Sequence, residues 1–93
     1  MTPQEFFKND LFAEKAGIVL MEVREGYSKA RLEIKKEHLN AGNRTQGGAI
    51  FTLADLALAA AANSHGQLAF SLSSNITFLR ASGEGDTLYA EAR

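Results

Sequence analysis

The sequence has no cysteine, no cluster of basic residues and no apolar run long enough to cross a membrane. The missing cysteine excludes disulfides, thiolate catalysis and cysteine-bound metals. Ten basic and eleven acidic side chains give a net charge of −1, so nucleic acid is not an expected partner. The apolar segment 49–62 is shorter than the ~20 residues of a membrane span. Because no basic-then-apolar leader is visible, we expect a cytoplasmic protein, with residues 1–93 forming one domain.

The apolar pattern predicts a helix, a hairpin, a second helix and two further strands. Thr2, Pro3 and Glu5 have the spacing of a capping box, so a first helix is predicted to run from there to Gly17. Alternating apolar and charged residues predict a half-buried second strand of the hairpin, with Ala30, Leu32 and Ile34 on its buried face. The remaining predicted elements are strands over 18–24 and 27–36, a polar loop over 37–46, a helix over 47–63, a long strand over 67–80 and the start of another over 87–92.

The second helix carries the most informative residue, Asp55, which is its only charged side chain. A helix that is apolar on all sides is normally buried, and a buried carboxylate is costly unless it is paired or used. The helix also begins at Gly47 and Gly48 with no acidic residue nearby, which leaves its first N–H groups available to an anion. This combination indicates chemistry at a carbonyl group.

The order of the elements favours an α+β fold in which a curved antiparallel sheet wraps the apolar helix. Four short strands cannot surround that helix, and the sequence stops within its last strand, at a probable sheet edge. We therefore expect either that a second chain completes the structure or that the sequence is a fragment.

Four stretches carry a family likeness: residues 40–55, Asn63-Ser64-His65-Gly66, residues 74–80 and Gly85-Asp86. Together they resemble the signature of the hotdog-fold acyl-CoA thioesterases, in particular the phenylacetate-degradation (PaaI-type) branch. The resemblance implies a hotdog fold, a long central helix wrapped by a curved antiparallel sheet, here without the last strands. One departure lies at Gln46, where the family usually has histidine.

The resemblance also implies roles for individual residues. Asp55 corresponds to the acid that serves as nucleophile or general base, and Gly47 to the residue whose N–H binds the thioester oxygen. Asn40 and Ser71 correspond to the loop asparagine and the strand hydroxyl that contact substrate. Gln46 is expected to orient the substrate through its amide, while the small Gly48 leaves room beside Asp55. No cofactor is required, and aromatic and medium-chain acyl groups both remain open.

A distance argument predicts the assembly. Gly47 and Asp55 are eight residues apart, or about 12 Å along a helix. Reacting atoms must approach to roughly 3–3.5 Å, so one helix cannot easily place both residues on the same thioester. We therefore expect a homodimer or homotetramer whose active site joins Gly47 of one subunit to Asp55 of another.

Two other functions remain as alternatives. A non-catalytic acyl-CoA-binding or assembly module is favoured by Gln46 and by the missing strands. A hotdog dehydratase would need an essential histidine beside its acid, and neither His38 nor His65 lies on the central helix. The two histidines lie on separate loops without a third ligand, so no metal site is expected.

Overall fold

The computed structural model describes residues 2–93, which form one antiparallel sheet and one long helix. Three strands pair in the order β1-β2-β3, with antiparallel neighbours throughout. The long helix packs on one face of this sheet. The elements are α1 (Pro3–Phe7), α2 (Leu11–Ala16), β1 (Val19–Arg24), β2 (Tyr27–Glu33), a short 3₁₀ turn (Lys36–His38), α3 (Gly47–Asn63) and β3 (Thr87–Ala92).

The N-terminal helix predicted as a single element is in fact two short helices. The capping box is confirmed, because Thr2 Oγ1 accepts the Glu5 N–H at 3.1 Å and the Glu5 carboxylate accepts the Thr2 N–H at 3.1 Å. The break follows from Asp10, whose carboxylate accepts the Ala13 N–H at 3.2 Å and starts α2 afresh. Gly17 ends α2 at φ +90°, a left-handed conformation that glycine adopts without strain.

The core lies between β2 and α3, as the alternating pattern predicted. Ala30, Leu32 and Ile34 are almost completely buried and belong to one cluster with Leu53, Leu56 and Ala57 of the helix. Burying a leucine side chain of this kind stabilises the fold by about 1.5–3 kcal/mol. The buried Ser28 hydroxyl also donates to the Ala57 carbonyl oxygen, which joins the strand to the middle of the helix. These contacts fix the position of α3 on the sheet.

The predicted long strand over residues 67–80 is wrong for this chain. The segment is extended but has no strand neighbour, and it makes no backbone–backbone hydrogen bond within residues 2–93. Its large apolar side chains are therefore uncovered, with Phe70 85% and Leu72 101% exposed. The alternation was read correctly as extended backbone, but a strand also requires a ladder partner. Within the described chain, β3 pairs with β2 along one side and has no strand neighbour along the other. β3 is therefore an edge strand, as predicted.

Side chains hold the 67–80 segment at its two ends. At the first end, the Asn63 carboxamide accepts the Ala69 N–H at 2.8 Å and donates to the Ala69 carbonyl at 3.0 Å. At the other end, the Thr45 N–H donates to the Ser82 carbonyl at 2.9 Å, and the two hydroxyls are 2.7 Å apart. Because Asn63 ends α3 and Thr45 precedes it, the segment is anchored near both ends of the helix.

A side-chain hydrogen bond connects the last strand, β3, to the β1–β2 hairpin. The Tyr27 hydroxyl donates to the Glu91 carboxylate at 2.6 Å, and the Arg24 guanidinium lies 4.1 Å from the centre of the Tyr27 ring. The hydrogen bond from Tyr27 lowers the pKa of Glu91, and the same bond raises the pKa of Tyr27. The bond is thus strongest with an ionised carboxylate and a neutral phenol.

This pair predicts a pH-dependent contribution to stability. Since the pKa of Glu91 is lowered on folding, its contribution is present above the unfolded carboxyl pKa and is lost as pH falls through the folded value. Since the pKa of Tyr27 is raised, its contribution is lost only as pH rises through the folded phenol value. We expect Tyr27→Phe to lower Tm near pH 7 and to differ less from the parent at about pH 3.

Thermal unfolding of the two proteins at both pH values measures this effect. Tyr89→Phe is the matched control, because Tyr89 is exposed and its hydroxyl makes no hydrogen bond in the described part of the chain. An equal loss of Tm at both pH values would contradict the prediction.

Candidate active site

The first predicted functional group is the Gly47 N–H at the start of α3. Gln46 is the N-cap residue, and its side-chain oxygen accepts the Gly47 N–H at 3.0 Å. No acidic residue lies in the first turn, so the positive end of the helix is not neutralised there. A substrate oxygen can reach this N–H only if the exposed Gln46 side chain rotates away.

Phe78 packs directly against Gly47, a contact that the sequence did not predict. A Cβ atom built on Gly47 would lie 3.1 to 3.6 Å from three atoms of the Phe78 ring. Glycine at this position therefore allows an aromatic side chain from the 67–80 segment to cover the start of the helix. The only earlier signal was that Phe78 belongs to one of the stretches that carry the family likeness.

Asp55 lies on a side of α3 that the sheet does not cover. The prediction that the helix is buried all round is wrong for this chain, because a single sheet layer covers only one face of a helix. We call the uncovered stripe the open face of α3; its members are exposed or half-buried: Gly48, Thr52, Asp55, Leu58, Ala59 and Ala62. Asp55 makes no hydrogen bond or ion pair within residues 2–93, so its carboxylate is available to a ligand or a partner.

The structure keeps Asp55 and Gly47 apart within one chain. They lie on one continuous helix from Gly47 to Asn63. Eight residues of α-helix correspond to about 12 Å of rise and about 80° of rotation. The structure of the single chain therefore brings Gly47 close to Gln46, but not close to Asp55.

Asn40 holds the loop that precedes the helix. Its side-chain oxygen accepts the Gly42 N–H at 2.9 Å and the Arg44 N–H at 3.1 Å, which forms a tight turn. Its amide nitrogen makes no hydrogen bond inside the described range. Asn40 and Gly47 line the same cavity of about 370 Å³, so the structure does bring these two predicted residues together.

The two remaining predicted contacts are less well placed. Ser71 lies on the exposed segment, where its hydroxyl is 2.9 Å from that of Ser74. No hydrogen bond links it to Gly47 or Asp55 in the part of the chain that is described. Gly48 lies on the open face, and its carbonyl accepts the Thr52 hydroxyl at 2.7 Å.

Both histidines contact other parts of the fold. His38 is buried; its Nδ1 accepts the Lys35 N–H at 2.8 Å, so Nε2 carries the proton and donates to the Ala16 carbonyl at 2.6 Å. His65 lies on the surface, 3.7 Å from a Glu25 carboxylate oxygen. Among residues 2–93 no three acidic or histidine side chains are grouped to hold a metal ion. No helix in that range is long and apolar enough to cross a membrane.

Comparison with known proteins gives the family. The sequence model that describes the thioesterase superfamily matches residues 42–93 of this chain. A candidate esterase of Archaeoglobus fulgidus is 49% identical over 87 residues, which are 94% of this chain and 56% of that protein. The acyl-coenzyme A thioesterase PaaI of Escherichia coli is 37% identical over 87 residues, which are 94% of this chain and 62% of that protein. The chain therefore spans about three-fifths of the length of these relatives.

Solved structures agree with this result. The structure of the Escherichia coli PaaI protein superposes with a TM-score of 0.82 at 36% identity, covering 92% of this chain and 66% of that one. A Streptococcus mutans protein, solved with bound acetyl-CoA, gives a TM-score of 0.75 at 30% identity over 80% of this chain and 60% of that one. The chain belongs to the thioesterase superfamily, and its α+β hotdog fold of the PaaI type is confirmed.

Proposed function

We propose that the protein is an acyl-CoA thioesterase that hydrolyses aromatic or medium-chain acyl-CoA to the free acid and coenzyme A. The observation that carries the proposal is the start of α3, where Gly47 and Asn40 border one cavity and no acidic side chain lies in the first turn. Membership of the thioesterase superfamily and the likeness to an acyl-coenzyme A thioesterase support the same reaction.

In the proposed mechanism, the Gly47 N–H binds the thioester oxygen after Gln46 has rotated away. A backbone N–H at a helix N-terminus is fixed in direction and stabilises the developing oxyanion without reorganisation. Asn40 positions the carbonyl, and Gln46 can donate to it through its side-chain amide. Gly48 and Ser71 are further substrate contacts in this proposal.

Asp55 supplies the carboxylate, by one of two routes. It accepts a proton from water while the water oxygen attacks the thioester carbon, and the expelled sulfur then takes that proton. Alternatively, it attacks the carbon itself and expels the thiolate, and water then hydrolyses the mixed anhydride to regenerate the carboxylate. Both routes consume one water and release one acid and one thiol.

The proposal requires at least a homodimer, with each site shared between two subunits. Asp55 is too far along α3 to reach the Gly47 of its own chain, and the open face that carries it is uncovered. Small residues on this face, Gly48, Ala59 and Ala62, allow close approach of a second helix or of the substrate. A homodimer and a homotetramer both satisfy this geometry.

The direct test is release of free thiol from a panel of aromatic and aliphatic acyl-CoAs. We expect turnover on at least one member, and the acyl chain with the highest kcat/KM identifies the substrate class. No turnover on any member by folded, assembled protein would refute the proposal.

A non-catalytic acyl-CoA-binding module is the second candidate, and the contact between Gln46 and Gly47 favours it. Since the Gln46 oxygen already occupies the Gly47 N–H, the donor needed for catalysis is covered. Such a module would bind acyl-CoA without consuming it, and replacing Asp55 would leave that binding intact. Calorimetric binding without thiol release separates it from the enzyme.

Mixing two defective subunits tests the shared site. Gly47→Pro removes the N–H donor and Asp55→Asn removes the carboxylate, so a heterodimer of the two has one site with both defects and one intact site. Co-expression in equal amounts gives heterodimers in half of the dimers, so we expect about a quarter of parental activity from two nearly inactive variants. If the isolated heterodimer is no more active than either variant, the two residues do not cooperate across subunits.

A further inference from the structure

The Phe78 ring lies at the end of α3 toward which the Gly47 N–H points. In a helix, the N–H of a residue points toward the preceding turn, and the direction of its Cβ is also tilted toward the helix N-terminus. The position that a Cβ atom would take on Gly47 lies 3.1 Å from Phe78 Cζ, and 3.4 and 3.6 Å from the two Cε atoms. The ring tip and the Gly47 N–H therefore lie at the same end of the helix, within reach of one bound group.

Two hydrogen bonds hold the chain in place on both sides of this contact. Thr45, which precedes Gly47 by two positions, donates its N–H to the Ser82 carbonyl at 2.9 Å, and the Ser82 hydroxyl donates to the Thr45 hydroxyl at 2.7 Å. Thr45 is buried, so these bonds are protected from water. Because Ser82 follows Phe78 by only four positions, the loop before α3 and the end of the 67–80 segment are held side by side.

The Phe78 side chain is fixed at its tip and open along its faces. The residue is 52% exposed, and it lines the cavity of about 370 Å³ that Gly47 also borders. Ile50, about one turn after Gly47 on α3, and Leu79 add apolar lining to this cavity. An apolar acyl chain is stabilised by contact with such a surface, whereas the amide-containing arm of coenzyme A would lose hydrogen bonds to water there.

We propose that Phe78 determines which acyl groups the site accepts, by limiting their width at the carbon next to the carbonyl. The inference rests on the proposed thioesterase function and adds a specificity determinant to the same site. Only two bonds separate the thioester oxygen from that carbon, so an oxygen about 2.9 Å from the Gly47 nitrogen brings the carbon beside the ring tip. An unbranched carbon fits there, but a methyl branch overlaps the ring. The site therefore accepts unbranched acyl groups and rejects those branched beside the carbonyl.

The kinetic test compares two isomeric substrates, hexanoyl-CoA and 2-methylpentanoyl-CoA, of which the second has a methyl branch beside the carbonyl. We expect the parent kcat/KM to favour the unbranched substrate by about 10–200-fold, the usual effect of one carbon too many in an apolar pocket. Phe78→Leu removes the Cε and Cζ atoms that reach Gly47, so the ratio should fall about tenfold. Phe12→Leu is the matched control and should keep the parent ratio, because Phe12 is an exposed residue of α2 that does not line this cavity.

A stability test examines the contact between Gly47 and Phe78 without any substrate. Gly47→Ala adds the Cβ atom that meets the ring at 3.1 Å, so we expect it to change Tm less favourably in the parent than in the Phe78→Leu background. The difference between the two backgrounds measures the coupling between the two residues. Equal changes of Tm in both backgrounds would overturn the contact and the role of Phe78 with it.

Binding of analogues separates this inference from the proposed thioesterase function. The dethia analogues of the two substrates have a methylene group in place of the sulfur, so they keep the carbonyl but cannot be hydrolysed. Calorimetry should show tighter binding of the unbranched analogue to the parent. The ratio of the two Kd values should be about tenfold smaller for Phe78→Leu.

The combined results distinguish the two proposals. The expected change in analogue binding, found without turnover by any form of the protein, supports the role of Phe78 and refutes the thioesterase. Turnover with the same substrate ratio in the parent and in Phe78→Leu supports the thioesterase and refutes the role of Phe78. A parent protein that does not distinguish the branched from the unbranched acyl group also refutes that role.

Discussion

Replacing Asp55 by asparagine is expected to lower kcat by about 10²–10⁴-fold, the usual contribution of a positioned acid–base group. Asparagine has nearly the same shape but cannot accept a proton or attack the thioester. Because Asp55 makes no hydrogen bond or ion pair within residues 2–93 and asparagine has nearly its shape, the substitution should leave the fold of each subunit intact. Thiol release and thermal unfolding, measured on the same preparation, separate a chemical defect from a folding defect.

Glu33→Gln is the control for this experiment. Glu33 is an exposed carboxylate of β2, away from α3, so its neutralisation changes the net charge equally without touching the proposed site. Full turnover by the Asp55→Asn variant would rule out both proposed routes. Retained coenzyme A binding with lost turnover would agree with a role in the chemical step.

The second large effect is expected from Gly47→Pro, which removes one N–H from the start of α3. Gly47 is the first residue of the helix, a position where proline is well tolerated because its ring fixes a helical φ. The residue before a proline must be extended, and Gln46 already has φ −61° and ψ +131°. We expect kcat to fall by about 10²–10³-fold, as when a single oxyanion donor is lost elsewhere.

Gly47→Ala is the matched control for the proline variant. Alanine keeps the N–H but places a Cβ about where proline does, 3.1 Å from the tip of the Phe78 ring. The difference in kcat between the two variants therefore isolates the donor from the crowding of Phe78. Equal activity of the two would show that the Gly47 N–H does not stabilise the transition state.

The Gln46 contact bears on how both results are interpreted. Its side-chain oxygen accepts the Gly47 N–H, so a substrate oxygen that binds there must replace one acceptor by another. A net hydrogen bond of this kind contributes about 0.5–1.5 kcal/mol, a small cost for substrate binding. Covering of the donor by Gln46 is therefore compatible with an active enzyme.

Several features of the fold followed from local sequence. The predicted limits of the central helix, 47–63, agree with the structure, because a Gly-Gly start and an uninterrupted apolar run are local signals. The alternation of Ala30, Leu32 and Ile34 identified the buried face of β2, since strand side chains point alternately to opposite faces. The capping box at Thr2 and Glu5 was equally readable, although Asp10 divided the expected helix in two.

The candidate site was only partly readable. The sequence made Asp55, Gly47 and Asn40 candidates for the site, and the structure places Gly47 and Asn40 at one cavity. It did not predict the exposure of Asp55 or the packing of Phe78 on Gly47. Each of these depends on which distant segment lies beside which, and periodicity within a short window contains no such information.

The sequence by itself thus determined where the central helix begins and ends and which face of the hairpin is buried, because capping and alternation act within a few residues. Only the tertiary structure decided that one side of α3 is open, that the 67–80 segment lacks a strand partner and that Phe78 packs against Gly47. Burial and strand pairing are long-range properties, fixed when segments far apart in sequence pack against one another.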